Sequence, residues 1–160
     1  MDLGLRTGIA LYGRGPGSPV RLQAYGSQHI GNRAALRRAV PGILDRFAPL
    51  DVVVVEGDAA LGRIWERAAL LRGAVTVPVN AERWRRALLL DREQRNGRDA
   101  KRHAARRAGA VIDWSRASGA DAPAAVGDLR HDTAEAILIG LWGALDQGLL
   151  RRDEAPWQLP

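Results

Sequence analysis

Four acidic side chains in the 160-residue sequence are spaced so that one fold could bring them together. Asp2 opens the run Asp2-Leu3-Gly4-Leu5-Arg6-Thr7-Gly8, and Glu56 closes a run of four valines, Val52 to Val55. Asp132 and Glu135 stand three apart, which on a helix places both side chains on one face. Carboxylates gathered without partners repel one another and take up protons, a conflict that divalent cations remove. Two such ions about 3.5–4 Å apart can activate a water and stabilise the leaving oxygen in phosphodiester hydrolysis. The chain contains no cysteine, so a metal must be held by oxygen or imidazole, which points to Mg²⁺ or Mn²⁺, two per site. Each acid alone has a plainer reading. Asp2 beside glycines suits a turn, Glu56 suits a helix cap, and Asp132 with Glu135 suits the dipole-favouring start of a helix.

A polyanionic substrate also fits the charge distribution. The formal net charge is +6, and Arg83 to Arg107 carries ten basic residues against three acids, a net of +7 that leaves the remainder at −1. A concentrated positive field steers phosphate backbones toward it and gains from counterion release, although an Arg-rich solvated helix face would have the same composition. Lys101 is the only lysine in a chain that otherwise uses arginine. A compact ammonium at that position suits a phosphate contact near a cut, and chance survival of one lysine is the alternative. No apolar run approaches the roughly 20 residues that span a bilayer, and the first residues lack signal-peptide order, so the expected compartment is the cytoplasm with no membrane partner.

The elements that must position the acids follow from periodicity. Leu3 to Tyr12 and Val20 to Tyr25 read as antiparallel strands separated by turn formers at Gly13 to Ser18. Asn32 is a predicted N-cap for a helix carrying Ala35, Leu36, Ala39, Val40, Ile43, Leu44 and Phe47, with Pro41-Gly42 expected to kink or restart it. The valine run reads as a strand covered on both faces. A helix at about Ala59 to Leu71, a strand at Val75 to Val79 and basic helices at about Ala81 to Leu90 and Arg98 to Ala108 continue the chain. Ser115 to Gly127 reads as a mobile loop, and a last helix is predicted from about Asp132 to Leu149. The expectation is an α/β fold with a mixed five-stranded sheet, three antiparallel strands then parallel ones, flanked by helices. One domain would cover residues 1–150, followed by a tail at 151–160.

The Asp2-x-Gly4-x-x-Thr7-Gly8 opening, Val53-Val54-Val55-Glu56 and the late His131-Asp132-x-x-Glu135-Ala136 helix resemble, in order and separation, the acidic motifs of the RuvC-type Holliday-junction resolvases. Trp84-Arg85-x-x-Leu88 and Lys101 are similar to DNA-contacting segments of that family, so the resemblance runs from about Met1 to Leu145. It implies a ribonuclease-H-like fold and a homodimer that binds four-way DNA junctions and cuts them with Mg²⁺ or Mn²⁺. On the matching positions, Asp2, Glu56, Asp132 and Glu135 would be the metal ligands, with Lys101 beside them in the catalytic set. His131 would assist the water or merely cap the helix. Arg83, Trp84, Arg85, Arg86, Arg98, Lys101 and Arg102 would contact DNA.

The helix at Ala59 to Leu71, with Ala60, Ile64 and Ala68 on one side and Leu61, Trp65 and Ala69 near them, would be core or would pair two subunits. Two departures stand out. Glu135 occupies a place where most relatives carry Asp, and Asp2 has only Met1 before it, which predicts a poorly preorganised ligand at a fraying end. Two alternatives share the fold: a YqgF-type ribonuclease acting on structured or precursor ribosomal RNA, and a branched-DNA-binding relative without catalysis. The Asp-x-Gly-x-x-Thr-Gly pattern also resembles the phosphate loop of actin-like ATPases and sugar kinases, which need far more chain.

Overall fold

The valine run explains the layering. In the computed structural model it forms the centre of strand β4 (Val52–Gly57), whose alternate side chains point to opposite faces of the sheet. Val53 and Val55 enter one hydrophobic cluster and Val54 packs against another, so both faces of β4 are covered. The structure describes residues 1–4, 6–15, 18–93, 97–117 and 122–157, with the side chains of residues 97 and 98 outside that set.

Around β4 the chain builds β1 (Asp2–Leu3), β2 (Arg6–Gly13), β3 (Arg21–His29), α1 (Arg33–Arg46), α2 (Ala59–Leu70), β5 (Val75–Val79), α3 (Ala81–Leu88), α4 (Gly97–Ala117), β6 (Ala124–Val126) and α5 (His131–Asp146). The sheet order is β5-β4-β1-β2-β3-β6. Strands β1, β2 and β3 pair antiparallel, whereas β4 joins β1, β5 joins β4 and β6 joins β3 in parallel. One face is closed by α1 and α2, which contribute Leu36, Val40, Ile43, Leu44, Trp65, Ala68 and Ala69 to their cluster. The other is closed by α3, α4 and α5, with Trp84, Leu88, Val111, Ile137 and Leu141 at its centre. Among the described residues no helix is long and apolar enough to cross a membrane.

The mixed sheet agrees with expectation, and the details differ in instructive ways. Six strands replace five, because Ala124–Val126 adds a parallel edge strand inside the segment read as a mobile loop. Small and polar residues hid it: a three-residue strand is too short to show a period. Leu3 to Tyr12 supplies parts of two of the three antiparallel strands, with Thr7 Oγ1 donating to the Gly4 carbonyl at 3.0 Å between them. Asn32 caps α1 as expected, its side chain accepting from the Ala35 amide, yet Pro41 sits inside one continuous helix. Helix α4 runs on to Ala117, because Ala104, Ala108, Val111 and Ile112 bury a stripe that extends past the basic residues. The link at residues 94–96 lies outside the described residues, as do residues 118–121 of the expected loop.

Candidate metal and nucleic-acid site

The site begins with strand parity. Leu3, Ile9, Val53 and Val55 face α1 and α2, so their alternates Asp2, Gly8, Val54 and Glu56 face α5. Register then sets them in line, since Glu56 is paired with Asp2, Asp2 with Gly8, and Gly8 with Ser27. A single row across four strands therefore reads Glu56, Asp2, Gly8, Ser27, with neighbours about 4.8 Å apart.

Helix α5 lies across this row at backbone distance. A β-carbon at Gly8 would stand 1.9 Å from the Asp132 carbonyl oxygen, so only glycine admits the helix here. Gly143 and Gly140 make similar notches farther along, receiving the Val54 side chain and the Tyr12 ring, whose hydroxyl donates to the Ile137 carbonyl at 2.7 Å. The first turn of α5 thus brings its two acids to the row. Ser27 Oγ hydrogen-bonds Asp132 Oδ2, and Glu135 is close enough to Asp2 and Glu56 to repel their charges.

That repulsion is visible in the carboxyl groups. Burial, then Glu135 and Glu56, and to a smaller extent Asp132, push the Asp2 carboxyl from 3.8 up to about 7. Burial and then Glu135 push Glu56 upward too, partly opposed by the Arg85 guanidinium. Four carboxylates from the first strand, the middle strand and the last helix are therefore electrostatic neighbours. Among the described residues, no three carboxylate or imidazole groups already stand in a spacing that would hold one ion. One reason is visible: Arg85 Nη2 donates to Glu135 Oε1 at 2.6 Å and occupies one of the lone-pair sites an ion would use. In donor type and charge the four acids fit hard divalent cations, because clustered carboxylate oxygens are what such ions bind and neutralise.

Asp2 is not at a fraying end. The Met1 nitrogen donates to the Val54 carbonyl at 2.7 Å and the Glu56 amide to the Met1 carbonyl at 2.9 Å, so pairing continues on both sides of it. His131 is the exposed first residue of α5; the cap position belongs to Arg130, which makes no side-chain cap, so His131 does not serve as the cap. Neither His131 nor Lys101, which is exposed on the first turns of α4, bonds to the four acids among the described residues.

The basic segment divides. Trp84 is fully buried in the cluster beneath α3, because a helix this short is anchored by its apolar side; it is a core residue and is not available to DNA. Arg83 reaches Asp146 at 3.2 Å and Arg86 reaches Glu82 at 2.5 Å. Both border an open hollow of about 530 Å³ shared with Asn80, Trp142 and Arg152. Arg102 pairs with Asp99 at 2.8 Å, and the side chain of Arg98 lies outside the described residues.

Ser27 and the turn of Arg85 toward Glu135 escaped the sequence reading. Strand parity could have placed Ser27 on the acid-bearing face, but pairing it with Asp132 requires knowing where α5 crosses. The expected subunit-pairing face on α2 is largely core: Trp65, Ala68 and Ala69 are buried, with Leu61 and Ile64 against them. The large apolar side chains left exposed near α2 are Leu70 at its end, Leu71 just after it, and Val75 at the start of β5.

No protein-family model and no curated protein sequence matches the chain. Among solved structures it is similar to the Thermus thermophilus RuvC structure, with a TM-score of 0.58 at 16% identity over 92% of this chain and 94% of that one. The likeness shows the fold: a ribonuclease-H-like mixed sheet flanked by helices.

Proposed function

We propose that the protein is a divalent-metal-dependent endonuclease that cleaves branched DNA, with four-way junctions as its substrate. The observation that supports this most is the meeting of Asp2 and Glu56 on adjacent strands with the first turn of α5, where burial and the Glu135 charge raise the proton affinity of both strand acids. On this reading Asp2, Glu56, Asp132 and Glu135 hold Mg²⁺ or Mn²⁺. What two such ions supply is charge stabilisation for the attacking and leaving oxygens of the phosphodiester.

The chain's own residues do the rest. Gly8 sets the height of α5 above the sheet, and Ser27 turns the Asp132 carboxylate toward the row. Arg83, Arg86, Lys101 and Arg102 offer exposed cations to the phosphate backbone. His131, the exposed first residue of α5 and the neighbour of Asp132, would assist the attacking water. The apolar corner of Leu70, Leu71 and Val75 would pair two copies, so that two sites face one junction; light scattering of the purified chain reads this directly.

The decisive experiment incubates a labelled four-way junction with Mg²⁺ and compares the native protein with Glu56→Gln and Asp132→Asn. Both variants should cut at least about 10³-fold more slowly, the loss expected when metal stabilisation worth several kcal/mol is removed. Equal cutting by all three refutes the assignment. A parallel arm with structured RNA separates this reading from an RNA-processing one.

A further inference from the structure

The contact between Arg85 and Glu135 sets one of the protein's own cations against the acidic cluster. Arg85 lies on α3, which is fixed by the Asn80 cap at its start and by buried Trp84 and Leu88 on its inner side. Its guanidinium is 5.0 Å from the Trp84 ring centroid and 2.6 Å from Glu135 Oε1, and the two side chains retain 26% and 12% of their exposure. The pair spans α3 and the first turn of α5 and borders Asp2 and Glu56.

We infer that Arg85 is the resident counter-ion of the acidic site, so that a divalent cation binds only by exchanging with its guanidinium at Glu135. The inference rests on the metal-binding reading above. Both cations compete for the same carboxylate oxygen, and a guanidinium cannot leave by losing its proton because it stays charged at every accessible pH. It must move, and its departure costs the charge-assisted hydrogen bond it makes with Glu135. Measured metal affinity is then the difference between two cation sites. Arg85 thereby sets a threshold: a monovalent ion gives too little in return, and a divalent one enough.

Titration calorimetry of Mn²⁺ into the metal-free full chain tests this, with the native protein beside Arg85→Met, which keeps the stem against Trp84, and Arg85→Gln, a second neutral variant. Arg85→Lys keeps the charge, and circular dichroism verifies the fold of each. A neutral residue at position 85 should tighten Mn²⁺ binding about tenfold, within the usual range of coupling between two ligands. Arg85→Lys should stay near the native value. Glu56→Gln identifies the site by abolishing the heat. Glu56-dependent binding in the native protein that is unchanged or weaker in both neutral variants overturns the exchange and shows Arg85 merely positioning Glu135. Absence of Glu56-dependent binding in every variant removes the metal site itself, and the exchange with it.

Discussion

Two buried acidic regions of this molecule obey the same electrostatics with opposite results. Glu93, in the short turn Asp91–Glu93 before α4, keeps only 3% of its side chain exposed, yet its carboxyl is held below the usual value. Burial alone would raise it; the Leu90 amide at 3.0 Å, together with Arg107 and His103, outweighs that cost. Arg106 at 2.7 Å and Arg107 at 3.2 Å complete the clasp. Asp2 and Glu56 have no such clasp and face other carboxylates, so theirs rise, through burial first and the Glu135 charge next. A buried acid whose donors all come from the protein is a strut between elements. One left facing its own kind is a vacancy for outside charge.

The largest effect should come from cutting the strut. Glu93→Ala leaves Arg107 partly buried without its anion and should cost about 3 kcal/mol of stability, the low end for breaking a buried pair because Arg106 is solvated. Urea unfolding measures it, and a loss below about 1 kcal/mol would erase the contrast.

The next effect belongs to Ser27→Ala. That change removes the hydroxyl that orients Asp132, and should weaken Mn²⁺ binding about tenfold while leaving unfolding nearly untouched.

The last is a slope with pH. The Asp2 carboxyl is raised in the folded protein, which therefore holds an extra proton between pH 3.8 and about 7. Metal-free protein should lose stability as pH rises across that window, and the melting temperature of Asp2→Asn should be flatter there. Glu93, lowered by its partners, contributes the opposite slope: its stabilisation is present above the ordinary carboxylate range and disappears as acid protonates it. Saturating Mn²⁺ should cancel the Asp2 slope and leave that of Glu93. If both slopes persist with metal, the two regions are not different in kind.

Which parts of this were readable in advance follows from range. The valine run, the Asn32 cap and the Asp132/Glu135 spacing are local patterns, and all are present as expected. The grouping of the acids was foreseeable because parity and strand order constrain which strand ends meet. Trp84 was misread because an aromatic among arginines looks alike whether it faces DNA or the protein's own core, and only packing on α5 decides. The Ser27 and Arg85 contacts depend on where one helix crosses a sheet and how far a long side chain reaches. Neither leaves a periodic trace. Glu93 was counted only as one of three acids diluting a basic segment, because its burial comes from a turn closing onto α4.

The close seating of α5 on Gly8 means that the gap between strand acids and helix acids is a main-chain dimension. No rotamer can widen it and no neighbouring side chain can wedge it. On the proposed reading, the surface arginines could be exchanged to retarget the molecule without retuning that interval. Position 8 carries no charge, yet adding a methyl group there would throw the whole interval out of gauge.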